Sequence, residues 1–145
     1  MLKYENGEHF ATGSAEYLYI PEESPKLNLE VVVEGSVRLH AVVDTGAPFF
    51  ILNPKFAVDL DLSAHQQVGV KKLSTRRGLT DGRLYRLNVT LIATVGKNLQ
   101  IEATTFVPEN NHWDEEPSFL GLENCLDRLR FGVDPYAQVF FFGKP

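Results

Sequence analysis

Residues 41–50 read AVVDTGAPFF, and they set a single carboxylate, Asp44, inside a run that otherwise has the character of a buried strand. Ala41, Val42 and Val43 lead into it. Thr45, Gly46 and Ala47 follow, and then Phe49, Phe50, Ile51 and Leu52. An ionised carboxylate taken out of water without partners costs several kcal/mol, so the surroundings of Asp44 must be arranged to keep it there.

Upstream, Leu27, Leu29, Val31 and Val33 alternate with Asn28, Glu30, Val32 and Glu34, the period of a half-buried strand. Gly35-Ser36 reads as a turn, and Val37, Leu39 and Ala41 resume the alternation against Arg38 and His40. This is a β-hairpin that runs directly into Asp44. Downstream, NPKFAVDLDL is interrupted by Pro54 and has room for a turn or a short helix. A second hairpin is expected from residues 68–74 and 83–93, turning at Asp81-Gly82, a dipeptide suited to positive φ. Gly96-Lys97-Asn98 is a further turn, residues 99–107 a further strand, and PENNHWDEEP an acidic, proline-bounded loop. In FLGLENCLDRLRF, Leu122, Cys125, Leu126 and Leu129 fall at helical spacing, which predicts one short C-terminal helix. QVFFFG reads as a last strand, and EYLYI, before Pro21, as a short early one. Many short strands and one short helix make an all-β, closed or partly closed sheet. The expected division is an N-terminal extension over residues 1–26 and one domain over 27–145.

Composition agrees with one domain. The chain has 145 residues, 43% hydrophobic and 23% charged, enough apolar side chain for one full core. No apolar run is long enough to span a membrane, and the first residues lack a basic segment followed by an apolar one, so no membrane association is expected. The lone Cys125 fits a reducing compartment and a core position; a cytoplasmic location is the expectation. Asn88-Val89-Thr90 then reads as part of a strand rather than a glycosylation site. The net charge of −5 argues against nucleic acid as a partner. It conceals an asymmetry: residues 71–86 carry six basic side chains and one acid, so the rest of the chain holds −10.

The succession of hairpin, Asp-Thr-Gly-Ala, apolar run, long hairpin, apolar-apolar-Gly and final strand resembles the retropepsin-like aspartic peptidases. The matching residues are VVDTGA at 42–47 and SFLGLENCL at 118–126, within a likeness that spans about residues 27–143. The resemblance implies a closed barrel of the acid protease fold. It also implies an aspartic endopeptidase in which Asp44 is catalytic, with Thr45, Gly46, Ala47, Leu120 and Gly121 supporting it. Gly in such a loop permits close approach of another backbone, and the Thr45 hydroxyl can reach across to a partner loop. Two carboxylates about 3 Å apart share one proton, which supplies one acid and one base for attack of water on a peptide bond. No metal or cofactor is implied. A second Asp-Thr/Ser-Gly is absent from the 145 residues, so the second carboxylate must come from another copy, in a symmetric homodimer.

The family's long hairpin is a flap over the cleft. Here the corresponding substrate-binding residues are Arg76, Arg77, Gly78, Leu79 and Arg83, and the arginines over the cleft would favour acidic peptides as substrates. Retroviral members commonly carry an acid after the alanine and an arginine after the second glycine; this chain has Pro48 and Leu122. The dimer must then be held differently, and the three phenylalanines at 140–142 are a candidate contact. Two other readings remain open. One is a peptide-binding or regulatory module that cuts nothing; the other is a precursor whose residues 1–26 block the cleft until trimmed near residues 21–25.

Overall fold

The alternating pattern around Asp44 becomes strand pairing across most of the chain. The computed structural model describes residues 2–17, 26–64, 67–75, 78–109, 113 and 115–145. Strands β2 (Asn28–Val33) and β3 (Val37–Val43) form the expected hairpin, with Leu29 opposite Ala41 and Val33 opposite Val37. Its turn is centred one residue earlier than expected, on Glu34 (φ 50°) and Gly35 (φ 68°). Both central residues have positive φ, the geometry that matches the twist of the flanking strands. Glu34 is held there by Asn88, which receives its N–H on the backbone oxygen and donates its own N–H to the Glu34 carboxylate at 2.7 Å.

Six strands close into a barrel. In order around the ring they are β2, β3, β9 (Ser118–Leu120), β4 (Phe50–Ile51), β8 (Leu99–Pro108) and β6 (Gly78–Leu91), which returns to β2 through Val31–Val33. The inward residues are those the alternation marks: Leu29, Val31, Val33, Leu39, Leu87, Val89, Leu91 and Ala103 are all buried. Pairing is mixed at the point that matters. β3 runs parallel to β9, while β4 is antiparallel to β9 and parallel to β8. A four-residue helix, α1 (Pro54–Ala57), follows β4, capped by the Asn53 side chain on the Lys55 N–H.

The long hairpin corrects the reading of Asp81-Gly82. β5 (Gln67–Thr75) and β6 pair as far as Thr75 opposite Gly78, so the chain reverses between those residues. Asp81 and Gly82 lie within β6, opposite Lys72 and Lys71. Gly82 is needed for packing: a Cβ there would lie 2.4 Å from the Phe106 ring and 2.6 Å from the Val107 oxygen. Glycine in a strand interior marks such close approach as readily as a turn.

A second sheet has the order β10 (Arg130–Asp134), β11 (Val139–Gly143), β1 (Gly13–Glu16), β7 (Val95–Gly96). The early strand is thus Gly13–Glu16, which ends on the first residue of the EYLYI segment; residues 18–20 of that segment lie outside the described ones. Phe140 and Phe142 are fully buried, and Phe131 stacks on Phe140 at 5.6 Å. Both edges of β11 are already paired, by β10 and β1. The expected helix after Gly121 is a series of turns ending in a 3-10 turn, Leu126–Arg128. It buries Cys125, Leu126 and Leu129 but leaves Leu122 43% exposed. No helix among the described residues is long and apolar enough to cross a membrane.

Candidate active site

Asp44 sits where β3 leaves the sheet. Its N–H donates to the Leu120 oxygen at 3.0 Å, which extends the parallel pairing of β3 and β9 by one bond. Two further bonds lock the following loop: Gly121 N–H donates to Phe49 O at 2.7 Å, and Leu122 N–H to Ala47 O at 2.8 Å. Phe49 adopts φ 59° and is buried, a conformation that costs a non-glycine residue and persists only where surroundings fix it. The two motifs that the sequence separates by some 75 residues are therefore one structural unit.

The glycine that close approach requires is Gly121. A Cβ there would lie 2.1 Å from Phe49 O, 2.6 Å from Ala47 O and 2.7 Å from the Pro48 carbonyl carbon. At Gly46 the added atom would meet only the Asp44 carboxylate, at 3.2 Å. Gly46 N–H instead donates to Asp44 Oδ1 at 2.9 Å, which fixes the orientation of the acid. Asp44 itself is half-buried, at the rim of a cleft, so most of the desolvation cost expected of a buried carboxylate is avoided. Thr45 is exposed, and its hydroxyl has no hydrogen-bond partner among the described residues.

The cleft, of about 260 Å³, lies between the Asp44 loop and the end of β5. Leu73, Ser74 and Thr75 form one side, Ala47, Pro48 and Ile51 the other, and Trp113, Glu116 and Phe119 close it. Of these, Ile51, Leu73 and Trp113 belong to a separate apolar cluster that they form with Phe49 and Phe106. Sequence reasoning missed Trp113, which stands in the acidic, proline-bounded loop. A lone large aromatic among charges was the available signal, since such a ring is rarely left in water. It also missed Asn53, which carries no motif.

The flap residues are placed less as expected. Gly78 (φ 96°) starts β6 at the hairpin end and Leu79 is 68% exposed there. Arg83 does not line the cleft; its Nε donates to Glu109 at 2.8 Å, and that bond, with the charge of Glu109, raises its pKa further. Arg76 and Arg77 lie outside the described residues, as do His112 and Asp114 of the acidic loop. Among the described residues no group of three or more possible metal ligands comes together. On the far side of the Asp44 loop, Thr45, Pro48, Leu122, Glu123 and Asp127 line an open groove.

The fold is retropepsin-like. The crystal structure of a retropepsin-like aspartic protease from Rickettsia conorii superposes with a TM-score of 0.55 at 20% identity, covering 90% of this chain and 89% of that one. EIAV protease, complexed with the inhibitor HBY-793, superposes with a TM-score of 0.43 at 16% identity over 72% and 88% of the two chains, too distantly to bear on the site. No protein-family model and no curated protein sequence matches the chain. At this identity the likeness concerns the fold.

Proposed function

We propose that the protein is an aspartic endopeptidase, a homodimer in which Asp44 of each copy meets the other on a two-fold axis. The observation that carries this reading is the locked loop. Three backbone hydrogen bonds and a glycine without room for a Cβ hold one carboxylate at the rim of an apolar cleft, beneath a long hairpin. Such rigidity is wasted on a surface acid and useful to a catalytic one. Within one chain the Asp-Thr/Ser-Gly motif occurs once, so a partner would supply the second aspartate of the pair.

The two carboxylates would hold one proton between them. The ionised member takes a proton from water as the water oxygen attacks the amide carbon, while the protonated member gives its proton to the carbonyl oxygen. In the collapse of the tetrahedral diol the newly ionised member takes a proton from one hydroxyl as the C–N bond breaks, and the amine leaves with the proton of the other member, so the pair again holds one proton. No metal or covalent intermediate is needed. An extended peptide would lie along the cleft and hydrogen-bond to the hairpin as an added strand. Activity requires one proton on the pair, so it should favour mildly acidic pH and fall as pH rises.

The test is cleavage of a mixed peptide library at about pH 5, comparing wild type with Asp44→Asn as protein concentration varies. Activity rising faster than linearly with concentration and lost in the mutant supports the proposal. Silence from a folded wild type, both before and after limited proteolysis within residues 21–25, refutes it. One observation favours the non-cutting module as the second reading: β11 is paired on both edges, so the terminal strand is not free to join a second copy by strand pairing. A chain that stays monomeric at every concentration would decide for the module.

A further inference from the structure

We propose that Asn53 is a positioning residue for the cleft wall, holding Trp113 so that the cleft beside Asp44 selects a large apolar or aromatic side chain of a bound peptide. The inference deepens the peptidase reading and rests on it for the word substrate.

Asn53 lies two residues beyond β4, at the start of α1, and is 1% exposed. Its Oδ1 accepts the Lys55 N–H at 2.9 Å and so caps α1. Capping needs only an oxygen, which serine or aspartate would supply as well. What asparagine adds is the amide nitrogen, which donates to Trp113 O at 3.0 Å and to Glu116 O at 2.7 Å. Its backbone N–H donates to the Oγ of buried Ser118 at 2.9 Å. One buried carboxamide therefore ties the start of α1 to both ends of the turn that carries Trp113, a turn itself closed by the Glu116 N–H on Trp113 O. A buried polar group bonded this fully fixes geometry as well as contributing stability.

Trp113 is buried edge-on against Phe119, with ring centroids 6.3 Å apart, and its Nε1 donates to Pro117 O at 3.3 Å. With its one polar atom committed to its own loop, the indole offers carbon to the cleft. Ile51, Leu73 and Phe119 supply further carbon to the wall facing Asp44, while Ser74, Thr75 and Glu116 are the polar groups that line the cleft with it. A peptide side chain seated there loses water against carbon on several sides, which rewards size and apolarity and penalises charge.

Trp113 is the chain's single tryptophan, so intrinsic fluorescence reports on this wall alone. The experiment titrates Asp44→Asn protein, which binds without cutting, with N-acetyl hexapeptide amides that differ only at the central residue: Phe, Leu, Ala or Glu. The Phe and Leu peptides should bind at least about ten-fold more tightly than the Ala and Glu peptides. Adding Asn53→Ser keeps a capping oxygen and removes both bonds to the loop. It should shift Trp113 emission to the red, increase its quenching by acrylamide and abolish most of the preference. In active wild-type protein the preference should lie in KM more than in kcat. If Asn53→Ser fails to fold, Trp113→Phe with binding read by calorimetry decides, and should narrow the preference for Phe. Equal binding of the four peptides, or emission and preference unchanged in Asn53→Ser, overturns the inference. Discrimination by Asp44→Asn protein without cleavage by wild type would overturn the peptidase reading and leave this one standing.

Discussion

Replacing Gly121 by alanine should release the Asp44 loop. The new Cβ would have its nearest neighbour, Phe49 O, at 2.1 Å, and the next two contacts are also backbone atoms, of Ala47 and Pro48. Ordinary contact needs roughly 3.5 Å, so the two segments must part by more than about 1 Å, and no flexible side chain can absorb the move. The bonds at 2.7 and 2.8 Å that join Gly121 and Leu122 to the loop would stretch beyond useful length. Each orphaned buried group costs about 1–3 kcal/mol and overpacking about 1–3 more. The expected loss is on the order of 3–9 kcal/mol, against a total stability of about 5–15 for an ordinary domain. Urea unfolding followed by circular dichroism measures it. Gly132→Ala is the control, because its Cβ would meet only Leu2 and Phe10 side chains at 3.6 and 3.7 Å, and it should change stability by less than about 1 kcal/mol. Gly121→Ala within about 1 kcal/mol of wild type would refute the account of how the loop is held. A folded remnant of the variant should have lost cleavage activity along with the position of Asp44.

Gly82→Ala should destabilise by at least about 2 kcal/mol through the Phe106 ring, and Phe106→Leu should relieve part of that cost; a residue in a solvent-facing turn would show no such coupling. Burial pushes the Cys125 thiol up to about 12 from the ordinary 9.0, so it stays protonated at neutral pH. Iodoacetamide at pH 8 should modify it only at the rate of unfolding. Since the folded state holds this proton more tightly, the contribution to stability is complete below about pH 9 and declines as pH rises toward 12. The urea midpoints of wild type and Cys125→Ala should draw together over that window. Deleting residues 1–16 should destabilise the protein by at least about 2–4 kcal/mol instead of activating it. β1 pairs with β11, Gly13 lies against the Phe142 ring, and none of residues 2–17 lines the cleft; a rise in activity on deletion, with stability kept, would show that the segment is inhibitory.

The sequence by itself determined which faces are buried and where the acid lies. Alternation from Leu27 to Ala41 fixes a strand pair because side chains point to opposite faces at every step, and nothing distant can change that period. It marked Asp44 as an acid at the end of such a strand, while Gly121 was named as its companion by the resemblance of two short runs to the retropepsin-like peptidases. Asp81-Gly82 shows where this stops. The dipeptide suits a turn and equally a strand beneath an aromatic ring, and only the arrival of Phe106 from β8 chooses between them. The helical spacing after Gly121 was overridden in the same way. Gly121 and Leu122 are already bonded to the Asp44 loop, and Leu126 and Asp127 N–H groups turn back on Gly121 and Leu122 oxygens in wide turns. The tie between Trp113 and Asn53 was invisible for a further reason. It is a contact across some 60 residues of sequence, which has no period and no motif. Closure of the barrel, through β6 returning to β2, is of the same kind. Local chemistry wrote the strands and the acid; which strand met which, and what wall the acid faced, were decided by packing.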